Sequence, residues 1–332
     1  MAKYLVTGIA GFIGSSIART LLNRGEQVRG LDDFSTGRRE NIAAILSAID
    51  FREADINDKA AIADACAGID YVFHEAAIPS VPKSVADPVG NNCANVDGTL
   101  SVLVAARDAR VKRVMYAASS SAYGDQPELP KHESQIPAPL SPYAAAKLAG
   151  EHYMAAFYHS YGLETVSLRY FNIFGPRQDP SSPYSGVLAK FITQMLAGEQ
   201  PTIFGDGEQS RDFTYIDNVV SANLLAVEAP ATLCAGRVLN IGTGARITLN
   251  QTFSLLQRIT GYTGSAAYGP ERTGDVKHSL ADIGLARQCI GYLPVATFEE
   301  GLARTVAWYQ SESPASAPSK RPESAAVEVG PR

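Results

Sequence analysis

The chain has 332 residues, 45% of them hydrophobic, and a net charge of -5. This is enough apolar material for one large domain or two small ones, and the acidic balance argues against a nucleic-acid partner, which selects basic surfaces. No apolar run approaches the about 20 residues of a membrane span, and the start, MAKYLVTGIAGFIG, lacks the layout of a secretory signal. Cys66, Cys93, Cys234 and Cys289 are scattered, with no CxxC pair and no metal-ligand spacing. A soluble cytoplasmic protein with reduced thiols, no metal and no membrane partner is expected.

Short apolar runs alternate with helical patterns through the first half. Tyr4 to Thr7 reads as a strand, Ser15 to Arg24 as a helix and Gln27 to Leu31 as a second strand. Asp70 to His74 follows as a strand, Asn92 to Ala109 as a long helix and Arg113 to Ala117 as a strand. Ser141 to Tyr161 is a further helix, and Glu164 to Leu168 the next strand. Such alternation predicts an α/β fold, a doubly wound parallel sheet of Rossmann type with a smaller α/β portion. The second half is less regular. Pro176 to Ser185 reads as a loop, Gly205 to Gly207 and Gly261 to Gly274 as turns, and Phe298 to Tyr309 as a last helix. The expected division puts a dinucleotide domain at 1–170, with 212–244 returning to it. A substrate portion takes 171–211 and 245–311, and a disordered tail 312–332.

The first strand runs into TGIAGFIG, whose glycines are Gly8, Gly11 and Gly14. A strand, a glycine turn and a helix start in that order form a dinucleotide fingerprint. Gly8 permits the turn, Gly11 the approach of a pyrophosphate, and Gly14 close packing of the helix. The helix N-terminus offers N–H donors and a partial positive charge to phosphate. The spacing is GxxGxxG rather than GxGxxG. Asp32 lies 18 residues after Gly14, where a carboxylate binds the adenosine ribose and repels a 2′-phosphate. NAD is therefore expected over NADP, with Arg38 and Arg39 as the counter-argument. Asp55, in EADIND, either borders the adenine pocket or caps a helix.

SPYAAAKLAGEHY carries Tyr143 and Lys147, four apart and so on one helix face. A free tyrosine has a pKa near 10; a nearby ammonium and an oxidised nicotinamide favour the phenolate that alcohol oxidation needs. Ser119, Ser120 and Ser121 end the strand RVMYA, where a hydroxyl can bond both a substrate oxygen and the phenol. The other reading of the serines is a polar turn.

TGIAGFIG, HEAA at 74–77, NVDGT at 95–99, the serine run, the Tyr143/Lys147 pair and RYFNIFGPRQDP at 169–180 together resemble the extended short-chain dehydrogenase/reductase family. GDGEQSRDFTYIDN at 205–218 and ERTGDVKHSLAD at 271–282 resemble it too, so the likeness covers nearly all of the chain before the tail. Within that family the chain looks most like the nucleotide-sugar 4-epimerases. Dehydratases and decarboxylases usually carry an acid after the catalytic hydroxyl; SSSAYGD has none before Tyr123.

The resemblance implies NAD as cofactor and a UDP-sugar as substrate. Tyr143 would take the proton of the 4-hydroxyl, Lys147 would hold the nicotinamide ribose, and Ser119 or Ser120 would bond the O4 region. It adds cofactor contacts at Phe12 and Ile13, at Ile56 beside Asp55, at Ala76 and Ala77, at Asn95 and at Tyr170. It places Ser80, Asn172, Arg211, Arg272 and Asp275 on the substrate. Relatives restricted to UDP-glucose often carry a tyrosine where this chain has Ser279. A small residue there leaves room for an acetamido group, which favours UDP-N-acetylglucosamine and UDP-N-acetylgalactosamine. UDP-glucose or UDP-glucuronate epimerisation is the alternative, and a non-catalytic NAD-binding scaffold a remoter one. Related enzymes are commonly homodimers through the helices near 92–109 and 143–161, and the same is expected here.

Overall fold

The computed structural model describes residues 1–180, 186–271 and 276–312. Seven strands form one parallel sheet: β1 (Lys3–Thr7), β2 (Gln27–Asp32), β3 (Asp50–Glu53), β4 (Tyr71–His74), β5 (Arg113–Ser119), β6 (Glu164–Tyr170) and β7 (Arg237–Ile241). Their spatial order is β7-β6-β5-β4-β1-β2-β3. The order reverses between β1 and β4, which leaves a crevice beyond the carboxyl ends of these two strands, where doubly wound sheets bind ligands.

Successive strand residues face opposite sides of a sheet, and the core divides accordingly. Val6, Phe73 and Met115 pack with Ile17 and Leu21 of helix Phe12–Asn23 and with Val219 and Leu224 of helix Ile216–Glu228. Leu5, Val72 and Val114 pack on the other side with Ile62, Val102, Leu103, Met154 and Phe157. The first cluster continues through Ile203, Phe253 and Leu302, so the two halves of the chain share one core. Both faces covered, with near-continuous burial in β5 and β6, is the expected pattern of a parallel sheet. Among the described residues no helix is long and apolar enough to cross a membrane.

Several expected boundaries shift. The first helix starts at Phe12, because the turn closes immediately at Gly11. The long helix begins at Pro88 and contains a widened turn, Cys93–Asp97, before Gly98–Asp108. The stretch expected as turns from Gly261 includes strand Ala267–Gly269, paired with Thr202–Phe204. Helices Val187–Leu196, Ile216–Glu228 and Leu249–Thr260 fill a region that reads as irregular. The expected tail from Glu312 onward lies outside the described residues save Glu312 itself, which ends helix Phe298–Glu312. The Pro176 to Ser185 loop is described only to Pro180.

Candidate active site

The glycine turn is set by contact. Gly8 has φ +67°, and a Cβ there would stand 2.7 Å from the Ala76 backbone. Only glycine allows both, and the crevice between β1 and β4 is closed at its floor by this approach. A Cβ on Gly14 would stand 2.2 Å from the Gly8 carbonyl oxygen, so the helix presses directly on the turn. No side chain caps the helix at Gly11. The first-turn N–H groups at Phe12, Ile13 and Gly14 therefore face the crevice end of the helix without a capping acceptor, which fits an anionic diphosphate.

Asp32 is buried at the end of β2. One carboxylate oxygen accepts the Ala10 N–H at 2.8 Å and the other the Phe34 N–H at 2.8 Å. Each oxygen keeps a lone pair for a ribose hydroxyl. Arg38 pairs with Glu40 and Asp179, at 3.5 and 3.3 Å. Arg39 pairs with Glu53 at 2.8 Å and covers the Phe34 ring. Both guanidinium groups are thus engaged by carboxylates, which removes the counter-argument for a 2′-phosphate. Asp55 is not a helix cap: its carboxylate accepts the Asn57 N–H, while Asp58 caps helix Lys59–Cys66. Ile56 is buried against Gly98.

His74 is fully buried between Thr7 and Thr99, 2.8 and 3.0 Å from their hydroxyls. Burial, reinforced by Lys147, holds it down to about 3, so the ring is neutral and ties β1, β4 and the long helix together. Asn95 reaches the same loop from the helix. Its amide accepts the Ile78 N–H at 2.9 Å and donates to the Ile78 carbonyl and to Asn91. Asn95 therefore shapes the 76–78 backbone, and both ends of its amide already have protein partners. Ser80 caps helix Val81–Ala86 by accepting the Lys83 N–H at 3.1 Å, which leaves its hydroxyl hydrogen and one lone pair.

The long helix Pro142–Tyr161 begins on a Ser141 cap with proline in its first turn. Tyr143 thus stands in the first turn and Lys147 one turn on. Burial pushes the Tyr143 phenol up, and the nearby Ser119 hydroxyl opposes the push. Ser119 in turn accepts from the Ser121 hydroxyl at 2.8 Å. The geometry distinguishes the serines: Ser119 acts on the phenol, and Ser120 starts the short helix Ser120–Tyr123. Lys147 is buried, donates to the Ala117 carbonyl at 2.9 Å and lies 4.9 Å from the Tyr116 ring centre. Burial brings the ammonium down to about 8 against the pull of Glu75 and Glu151. In the protein without cofactor the phenol is neutral, so the expected phenolate requires the oxidised nicotinamide as well as the ammonium.

Across the crevice, Asn172 donates to the Asp212 carbonyl at 3.0 Å and to the Ser279 hydroxyl at 2.9 Å. Two residues expected on the substrate, from segments about a hundred positions apart, therefore touch. Arg211 rests its guanidinium on the Ser210 and Lys277 carbonyls, both at 3.0 Å. Beside it His278 bonds the Ser210 hydroxyl; burial and the cations Arg246, Lys277 and Arg211 hold the imidazole down. Arg246, Lys277 and Arg211 make this end locally cationic on an acidic protein. Phe204, Asp206, Gln209, Glu271 and Lys277 line a small cleft next to it. Arg272 and Asp275 lie outside the described residues.

Sequence reasoning missed two features. Tyr170 does not stand alone: its hydroxyl donates to Glu75 at 3.0 Å and accepts from Asn223 at 2.8 Å. Asp212, wholly buried, gathers four donors from Thr243, Gly244 and Ala281. Glu75 lies within HEAA and Asp212 within GDGEQSRDFTYIDN, but nothing in those motifs tells which partners the carboxylates find.

Residues 4–242 match the NAD dependent epimerase/dehydratase family. The UDP-glucose 4-epimerase of Mycolicibacterium smegmatis is 38% identical over 316 residues, 94% of this chain and 99% of that protein. Among solved structures, the UDP-glucose 4-epimerase of Thermotoga maritima with UDP-glucose superposes with a TM-score of 0.88 at 40% identity, covering 93% of this chain and 99% of that one. The UDP-N-acetylglucosamine 4-epimerase of Methanobrevibacter ruminantium M1, in complex with UDP-N-acetylmuramic acid, gives 0.89 at 41% identity, over 93% and 98%.

Proposed function

Since this chain belongs to the NAD dependent epimerase/dehydratase family, with UDP-sugar 4-epimerases as its relatives, we propose that it inverts C4 of a UDP-N-acetylhexosamine. The chain is a nucleotide-sugar epimerase of the extended short-chain dehydrogenase/reductase type, and its cofactor is NAD. The observation that carries the mechanism is that helix Pro142–Tyr161 sets Tyr143 and the buried Lys147 one turn apart against the end of β5, where Ser119 acts on the phenol and Ala117 holds the ammonium.

NAD, when bound, accepts a hydride from the sugar and returns it. The Gly8–Gly14 turn and the uncapped helix N-terminus hold its diphosphate, Asp32 its adenosine ribose, and Lys147 its nicotinamide ribose. Tyr143 takes the proton of the sugar 4-hydroxyl and later restores it. Ser119, oriented by Ser121, donates to the phenolic oxygen and stabilises its charged form. Return of the hydride to the other face of C4 would require the 4-keto sugar to turn over within the cleft. Arg211, with Arg272 and Asp275, grips the nucleoside diphosphate. Residues 171–211 and 245–311 make up this substrate portion. Two copies pair through the helices near 92–109 and 143–161, where Tyr153 and Tyr161 are exposed.

Support for the acetamido sugar comes from Ser279. Its small side chain donates no bulk to the cleft, and its hydroxyl is held by Asn172. Plain UDP-glucose is the second reading, favoured by the Thermotoga maritima and Mycolicibacterium smegmatis relatives. Turnover of the two UDP-sugars by the full chain separates them. In Ser279→Tyr, turnover of UDP-N-acetylglucosamine is expected to fall by about tenfold or more, with UDP-glucose turnover retained. Undiminished acetamido-sugar turnover in that variant removes the argument.

A further inference from the structure

Tyr143, Lys147 and Glu151 follow one another at intervals of four along helix Pro142–Tyr161, and so share a face. The large apolar side chains that this helix gives to the core, Met154 and Phe157, both come after Glu151. Before it the buried residues are Ala144, Ala146, Lys147 and Gly150, which offer little apolar surface to grip. The half of the helix that carries the phenol and the ammonium is therefore held mainly by polar contacts. Lys147 supplies one, to the Ala117 carbonyl. Glu151 supplies the other.

Arg169 of β6 donates to both carboxylate oxygens of Glu151, from Nε at 2.8 Å and from Nη2 at 2.7 Å. Each of the two side chains is 3% exposed. The strand register sets Arg169 between Ala118 of β5 and Asn240 of β7. Its guanidinium lies over the Tyr123 ring, 4.7 Å from the centre. The Tyr123 hydroxyl donates to Asn240 Oδ1 at 2.7 Å, and Asn240 Nδ2 donates to the Lys131 carbonyl at 2.8 Å. The Lys131 main chain pairs with Leu280 and Asp282, just beyond Ser279. One buried network thus runs from the Tyr143 helix to the Ser279 segment.

A buried ion pair adds little net stability over an apolar pair of the same volume. What a guanidinium fork adds is direction, because two parallel bonds fix both the rotation of the helix and its place along the sheet. We propose that Arg169 is a positioning residue: its fork onto Glu151 sets the Tyr143/Lys147 face, and its contact with Tyr123 ties that face to the Ser279 segment through Asn240. The phenol and the segment across the crevice then share one frame. A small shift between them costs rate more than binding.

The inference rests on the epimerase reading for its turnover readout. Arg169→Met alone leaves Glu151 buried without its partner and is expected to fold poorly. The test is therefore the double variant Arg169→Met/Glu151→Met, which removes both charges at similar volume. Its melting temperature and NAD content should hold. Its kcat for the UDP-sugar should fall about tenfold to a hundredfold, with KM changed by less than about threefold. Hydrogen exchange of the main-chain amides at 144–151 should quicken while that of β5 holds. Arg169→Lys keeps the charge without the fork and should show the same changes to a smaller degree; it serves alone if the double variant does not fold. Unchanged kcat, or unchanged exchange at 144–151, overturns the proposal. Absence of turnover in the unmodified protein would sink the epimerase reading, while the exchange comparison would still decide whether Arg169 fixes the helix.

Discussion

Around Gly8–Gly14 the ligand-facing groups are backbone N–H donors, placed by the absence of side chains. Around Ser279 they are side chains, placed by one buried carboxylate. At the first end, β1, the Ala76 loop and helix Phe12–Asn23 press so closely that a Cβ at Gly8 or Gly14 collides with backbone. At the second, Asp212 binds the 243–244 turn and the Ala281 N–H, and its own carbonyl receives Asn172. The first arrangement tolerates no change and suits a ligand that never varies. The second fixes a frame while leaving position 279 open to change, since Ser279 reaches that frame only through its hydroxyl bond to Asn172 and its own main chain.

The comparison breaks most visibly at Gly14. Gly14→Ala places a methyl 2.2 Å from the Gly8 oxygen, an overpacking that costs roughly 1–3 kcal/mol. Purified protein should lose nearly all its bound NAD, measured as nucleotide released on denaturation, and melt at lower temperature. Full NAD content would show that the turn can yield. Asp212→Ala should have a smaller and different effect. It strands the Thr243, Gly244 and Ala281 donors and destabilises by about 1–3 kcal/mol. KM for the UDP-sugar should rise while NAD content holds. A loss of NAD with KM unchanged would mean that the two ends are not separately built.

What the sequence made legible divides along the same line. Glycine spacing, the strand before it and the acid after it are local signals, so the turn, Asp32 and strands β1, β2, β4, β5 and β6 could be read, whereas the short, half-exposed β3 was not delimited. The Ser141-Pro142 start and Gly162 end of the Tyr143 helix were equally local. So were the Thr248/Gln251 capping box and Gly261 of helix Leu249–Thr260, a clearly amphipathic helix in a stretch that was nevertheless expected to be irregular. Contacts such as Asn172 with Ser279, or Glu75 with Tyr170, join residues about a hundred positions apart. No spacing encodes them; they exist only once the sheet order brings β4, β6 and the 279 segment to one edge. That Ser119 rather than Ser120 acts on the Tyr143 phenol also needed the fold, because the phenol stands in the first turn of a helix more than twenty residues later.

The central claim is that hydrogen leaves and returns to the same sugar carbon beside Tyr143, with NAD as its temporary carrier. UDP-N-acetylglucosamine deuterated at C4, incubated with the full chain and no added NAD, tests this directly. The account predicts a 4-epimerised product that keeps its deuterium, formed more slowly than from unlabelled sugar. Product that has exchanged its C4 label with water would contradict it.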